Sequence, residues 1–387
     1  MLGGVGLAYF DNAATTFPKP NIVYEAMNDF YKNHSGSFGR GNYASSMQVG
    51  MLVSDTRKRI QQLFHCPAKQ VIFTPSATIA LNIVIQGMIV KGVKNIYISP
   101  FEHNAVTRTL HYYEQQGCIQ VMKLAVTEKL GFDLERIRYQ FDEIKPDFII
   151  VTHASNVFGL IVPVTGIFAL GKKYGAVTLA DMAQTAGLLD CDLSLDVFDF
   201  AVFEGHKTLY GPTGIGGFVM KPDFDLPAIL FGGTGFESAN QDMPDSLPER
   251  FEVGTSNIVG IAGLNASLRW IEETGITIIK NKEEENRKRL LELFKKYDFI
   301  KIVGVHNENQ YVGIVSCLID SISSDSAGNI FDRCNIAVRT GLHCAPLAHK
   351  FLHTFPAGTI RFSVNYFTDD KDFEELESAL NFIEENI

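Results

Sequence analysis

The chain has 387 residues, 46% hydrophobic and 20% charged, with 33 Gly and 14 Pro, a composition that excludes disordered, collagen-like and low-complexity classes. Its 34 Lys and Arg against 44 Asp and Glu give a net charge of −10, so no nucleic-acid partner is expected. The length suits two or three domains, or one large α/β domain with an appendage, and buries a sizeable core without disulfides.

The opening stretch, MLGGVGLAYFDNAATTFPKP, has no basic n-region and no apolar core, and no apolar run approaches the roughly 18–20 residues that cross a bilayer. A cytoplasmic protein with no membrane partner is expected. The six cysteines, Cys66, Cys118, Cys191, Cys317, Cys334 and Cys344, are scattered and form no C-x-x-C pair, as suits reduced thiols. Between residues 70 and 220 the runs VIFTP, NIYIS, IQVMKL, PDFIIVTH, AVTLAD, FDFAVF and GGFVM alternate with helical stretches. That alternation predicts a buried, mostly parallel sheet with crossover helices. From about Ile258 amphipathic helices follow (Gly263 to Thr274, Ile278 to Lys296), then a strand near Val312–Ile319 and a terminal helix from Asp370. The basic run Arg287 to Lys296, after acidic Glu283–Glu285, reads as the solvated side of a helix. The expected architecture is a large α/β domain over 16–258 and a smaller α+β domain over 259–387, which takes in segment 1–15.

Ligands of open α/β sheets sit beyond the carboxyl ends of the strands. There this sequence puts Asn156 after PDFIIV, Asp181 with Gln184 after AVTLA, and Glu204-Gly205-His206-Lys207 after FDFAVF, followed by a glycine-rich turn from Gly211 to Gly217. A carbanion-stabilising cofactor such as pyridoxal 5'-phosphate (PLP) needs a lysine for its aldehyde, an acid for its ring nitrogen and donors for its phosphate. Lys207 and Asp181 supply the first two. Other patterns carry less. Cys344, His349 and His353 form an incomplete zinc set, so no metal is expected, and the glycine pairs at Gly232 and Gly211 lack dinucleotide-loop spacing. His34, His65, His111, His153 and His306 read as surface or satisfied core residues.

HKTLYGPTGIGG behind a strand, with LADMAQ upstream, resembles the class V aminotransferase family of fold type I PLP enzymes. The stretch RTGLHCAP (Arg339 to Pro346) resembles the cysteine desulfurase branch, in its Suf-type or selenocysteine lyase-like subgroup. DNAATTFPKP, RGNY, EHNAV, SNVFG, GGTGFES, FEVGTSN and TIRFSVNYF extend the resemblance over nearly the whole chain. It implies that Lys207 binds PLP and that His103 stacks on the ring and moves protons. Asn156 and Gln184 contact ring substituents, while Thr78 and His206 bind phosphate. Thr255 and the Gly232–Ser238 loop reach the neighbouring site of a homodimer. Arg361 clamps the substrate carboxylate, with Arg339 and Asn156 beside it, and Cys344 accepts sulfur from L-cysteine, or selenium from L-selenocysteine, for a sulfur-acceptor protein in sulfur metabolism such as iron–sulfur cluster assembly. The thiolate is the nucleophile, so a partly exposed loop near Arg339 and His343 suits it. An aminotransferase, a selenocysteine lyase and a low-turnover scaffold for sulfur carriers are the alternatives.

Three positions depart from that pattern. Glu204 stands where most relatives have a small hydroxyl residue, Ala77 where many have Thr, and Leu342 where better-known members have a second His. A carboxylate beside a phosphate is repulsive, so the Glu204 side chain is expected to point off the rim towards solvent.

Overall fold

The computed structural model describes residues 7–34 and 43–386. Arg40, Gly41 and Asn42 of the RGNY motif, and residues 1–6 of the N-terminal segment, lie outside the described residues. The chain opens with a short strand β1 (Ala8–Tyr9) and helices α1 (Asn21–Asn33) and α2 (Ala44–Leu63). Strands and helices then alternate: β2 (Gln70–Thr74), α3 (Ala77–Val90), β3 (Asn95–Ile98), α4 (Asn104–Gln115), β4 (Gln120–Lys123), α5 (Leu134–Glu143), β5 (Phe148–Thr152), α6 (Val164–Lys173), β6 (Val177–Asp181), β7 (Phe200–Glu204) and β8 (Gly216–Met220).

These strands form a seven-stranded sheet in the order β2-β8-β7-β6-β5-β3-β4. Only β8 runs against its neighbours. The central strands are buried throughout because both faces are covered: Ile149 and Val151 of β5 enter one core, Phe148 and Ile150 the other. The carboxyl ends of β2, β5, β6 and β7 therefore lie on one edge of the sheet. The expectation of a mostly parallel α/β fold is met.

Two helices follow, α7 (Ile258–Thr274) and α8 (Ile276–Phe294), then β9 (Ile300–Val303), β10 (Ile314–Ile319), α9 (Ser324–Arg333), β11 (Ile336–Ala337), β12 (Arg339–Gly341), α10 (Pro346–Phe351), β13 (Thr359–Ser363) and α11 (Asp370–Glu384). A four-stranded antiparallel sheet in the order β12-β13-β10-β9 packs its own core, with Phe10, Leu290, Phe294, Val315, Phe331, Phe362 and Leu376. Helix α11 starts at Asp370 as the sequence predicts, because Asp369 and Asp372 form a reciprocal capping box. The basic run Arg287 to Lys296 is solvated as expected at Lys288, Lys295 and Lys296, while two groups turn inward: Glu283 is buried and accepts from Gly313 N–H at 2.7 Å, and the Arg287 guanidinium lies 4.6 Å from the Tyr311 ring centroid. Among the described residues no helix is long and apolar enough to cross a membrane.

The N-terminal segment straps the two sheets together. Strand β1 pairs with β11, the Asn12 side chain donates to Ser363 O at 2.8 Å, and Thr16 Oγ1 donates to Lys207 O at 2.9 Å. Thr16 N–H also donates to His206 O at 2.9 Å. DNAATT thus holds the lysine loop against the second sheet.

Candidate active site

Strand β6 ends in Asp181, which is 5% exposed and accepts from Ala183 N–H at 3.0 Å. Burial pushes its carboxyl upwards, and the Lys207 ammonium pulls it back. Lys207 itself is pushed down by burial, opposed by Asp181 and Glu204. These three groups stand close enough to govern one another's charge, on the ends of adjacent parallel strands.

His103 is the N-cap of α4, its Nδ1 accepting from Ala105 N–H at 3.0 Å. Burial first, then Lys207 and Arg361, lower its pKa to about 4. Near neutrality the ring is uncharged, with its proton on Nε2. The preceding Glu102, fully buried, accepts from Ser99 Oγ at 2.5 Å and Thr152 N–H at 2.7 Å, and so ties the His103 turn to the end of β5. Gln184 donates from Nε2 to Ala13 O at 2.9 Å, a second link to the strap.

The Cys344 loop sits between β12 and α10, with Cys344 exposed. His343 and Cys344 hold φ of 46° and 56°, a left-handed conformation that non-glycine residues adopt at some cost. Outside contacts maintain it. Asn104 N–H donates to Cys344 O at 2.6 Å, and Asn156 Nδ2 donates to His343 O at 2.6 Å. The Asn156 amide is thus committed to this loop. A groove of about 780 Å³ opens at Cys344, lined also by Asn104, Arg108, His111 and Leu347. His343 does not supply positive charge to the thiol: its ring is buried and bonded through Nε2 to Thr359 Oγ1 at 2.9 Å, and burial lowers its pKa to about 2. The nearby cations are arginines and Lys207.

Arg361, on β13 and 2% exposed, donates to Asn156 O at 2.9 Å and to Asp11 Oδ1 at 2.9 Å. Arg339 reaches the same carboxylate through Nη2 at 2.9 Å to Oδ2 and through Nε. Asp11 therefore clamps both arginines, a role that sequence reasoning missed. Its place in DNAATT was the available signal.

Glu204 does not turn towards solvent, which corrects the expectation. It is 5% exposed, and its Oε2 accepts from Ala77 N–H, the first residue of α3, at 2.8 Å. The reason lies in β8, where Gly216 stands opposite both Thr74 and Glu204. A Cβ on Gly216 would lie 3.0 Å from Ala77 N, so the missing side chain opens the path from β7 to α3. The Thr78 side chain is exposed on the next position of α3. His206 Nε2 lies 3.7 Å from Glu204 Oε1. Thr255 is exposed elsewhere, lining a cavity of about 680 Å³ with Gly233, Thr234, Phe30 and Tyr31.

Several polar atoms in this region are buried without a hydrogen-bond partner: Glu204 Oε1, His206 Nδ1 and Arg361 Nε. His206 Nδ1 and Arg361 Nε, with an amine facing a carboxylate between them, suit a charged aromatic aldehyde bearing a phosphate, together with a carboxylate-bearing substrate. Glu204 is the one group whose charge conflicts with such a ligand. Among the described residues no cluster of three or more His, Cys, Asp or Glu could hold a metal ion; His349 is buried against Thr354 and His353 lies beyond the end of α10.

A family model described as aminotransferase class-V matches residues 8–376. A probable cysteine desulfurase from Pyrococcus abyssi is 30% identical over 97% of this chain and 93% of its own length. One from Methanothermobacter thermautotrophicus is 29% identical over 97% and 94%. The apo structure of the cysteine desulfurase from Thermococcus onnurineus NA1 superposes with a TM-score of 0.88 at 28% identity, covering 98% of this chain and 95% of that one.

Proposed function

The chain belongs to the class-V aminotransferase family, in its cysteine desulfurase branch, and from that premise we propose that it takes sulfur from L-cysteine onto Cys344, leaving L-alanine. The observation that carries the assignment to Cys344 is its exposed, left-handed loop, bonded to the starts of both the His103 helix and the Asn156 turn. Enzymes of this family are PLP-dependent, and bound PLP supplies an electron sink for charge developing on the substrate carbon.

This chain's residues would do the rest. Lys207, kept low in pKa by burial, would hold the cofactor aldehyde, and Asp181 would answer the positive ring nitrogen. His103, whose Nδ1 accepts from Ala105 N–H, would stack on the cofactor ring and move a proton at Nε2, and Gln184 would contact the ring's phenolic oxygen. Thr78 and His206 would hold the phosphate. Arg361 binds the substrate carboxylate through its free N–H groups, with Arg339 and Asn156 beside it, a task that suits a planar guanidinium. The Cys344 thiolate attacks the substrate sulfur: an S–S bond forms as the C–S bond breaks, the electron pair stays with the carbon skeleton, and a proton completes the alanine methyl. The persulfide then passes to an acceptor protein, as in iron–sulfur cluster assembly, in the cytoplasm.

We further propose a homodimer of chains each with a large domain over 16–258 and a small domain over 259–387 and 1–15. Thr255 and the Gly232–Ser238 loop, exposed next to Phe231 at 75% and Tyr31 at 77%, complete the partner's phosphate site. Incubation with L-cysteine and a thiol reductant such as dithiothreitol, which cleaves the persulfide and is itself oxidised to a disulfide, tests the reaction: alanine and sulfide in equal amounts are expected, and a keto acid instead would move the assignment to transamination. An L-selenocysteine arm reads the preference between sulfur and selenium.

A further inference from the structure

We propose that Glu204 couples phosphate binding to proton uptake: its carboxyl sits at the α3 N-terminus as an anion already in place, and becomes neutral when the cofactor's phosphate arrives. This rests on the reading that PLP binds at this rim.

One Glu204 oxygen takes the Ala77 N–H at 2.8 Å, and the other is buried without a hydrogen bond, with His206 Nε2 3.7 Å away. A helix start favours negative charge because its first N–H groups are unpaired and its dipole is positive there, and a fourteen-residue α3 presents one. A carboxylate and a phosphate dianion claim the same favourable field. One of them must give up charge, and the carboxyl is the group already opposed by burial.

Few groups can compensate. Asp181 on β6 faces Glu204 and adds to the negative charge, while Lys207 is the facing cation. His206 is neutral near pH 7, its pKa lowered to about 4 by burial, then by Lys207 and Lys19. The other neighbouring elements, β2, α3, β8 and the first turn of α7, contain no titratable side chain facing it. No arginine reaches the carboxyl to keep it charged, and proton uptake is the remaining way to relieve the repulsion.

The test compares PLP binding by the apo protein and by Glu204→Gln, a neutral isostere that keeps the acceptor for Ala77, by absorbance titration at several pH values. Pyridoxal, which lacks the phosphate, is the control, and Glu204→Ser is a second variant should Gln disturb folding. The ratio of wild-type to variant Kd is expected to rise with pH, by up to about tenfold per pH unit for one linked proton, with PLP but not with pyridoxal. A flat ratio, or the same trend with pyridoxal, overturns the inference while leaving the PLP reading intact. Failure of every protein to take up PLP overturns both.

Discussion

The two ends of the candidate site solve opposite electrostatic problems. At the ring end, Lys207 and Asp181 stand on adjacent strand ends as a mutually compensating pair, and His103 is neutral. At the other end, where the proposed function places the phosphate, Glu204 sets a buried acid at a helix start. On the proposed reading the first end is arranged for its ligand's charge, and the second changes its own when the phosphate binds. A shared strand edge fixes where residues stand, while the local partners decide what charge each can carry.

The comparison can be broken most directly at the ring end. Lys207→Ala is expected to lower cysteine desulfuration by about a thousandfold or more, and borohydride reduction of the wild type followed by peptide mapping is expected to place the pyridoxyl group on Lys207. Next in size, Cys344→Ser should abolish sulfide release while the absorbance change on adding cysteine survives, because the carbon and sulfur roles belong to different residues. Unchanged sulfide release in that variant contradicts the assignment.

Asp11 offers a smaller effect between the two ends. It orients Arg361 and Arg339 without being assigned any contact with substrate. Asp11→Ala is expected to raise the KM for cysteine by about tenfold, the equivalent of roughly 1.4 kcal/mol, with less change in kcat. A fall in kcat at constant KM would assign Asp11 to the chemistry instead.

A control away from the site sharpens the point about buried acids. Burial raises the Glu283 pKa from the ordinary 4.5 to about 8. A carboxyl whose folded pKa is raised holds its proton more tightly when folded, so its contribution is complete below about pH 4.5 and is lost as pH rises through about 8. The urea midpoint of Glu283→Gln should therefore fall less than that of the wild type between about pH 6 and pH 9. Parallel curves for the two proteins would show that Glu283 does not titrate in this window.

The sheet was legible from sequence because strands buried on both faces are written as unbroken apolar runs, FIIV and FAVF among them. Lys207, Asp181 and Asn156 were legible for the related reason that they follow those runs directly. The Glu204 orientation was not, because it depends on the absent side chain of Gly216 across the strand pairing. Nor was the state of His343, which reads as a polar loop residue until Thr359 and the loop's left-handed turn place its ring inside. Asp11 was visible only as part of a motif; its two arginines lie more than three hundred residues away in sequence.

The central claim, that Cys344 receives sulfur from cysteine at a Lys207-bound cofactor, is tested most directly by a single-turnover incubation of the PLP-loaded protein with L-cysteine, followed by mass mapping of its peptides. The account predicts one alanine per active site and an added sulfur atom on the peptide containing Cys344. Alanine formed with the added sulfur on Cys118, Cys334 or another cysteine, or a keto acid formed with no added sulfur, would contradict it.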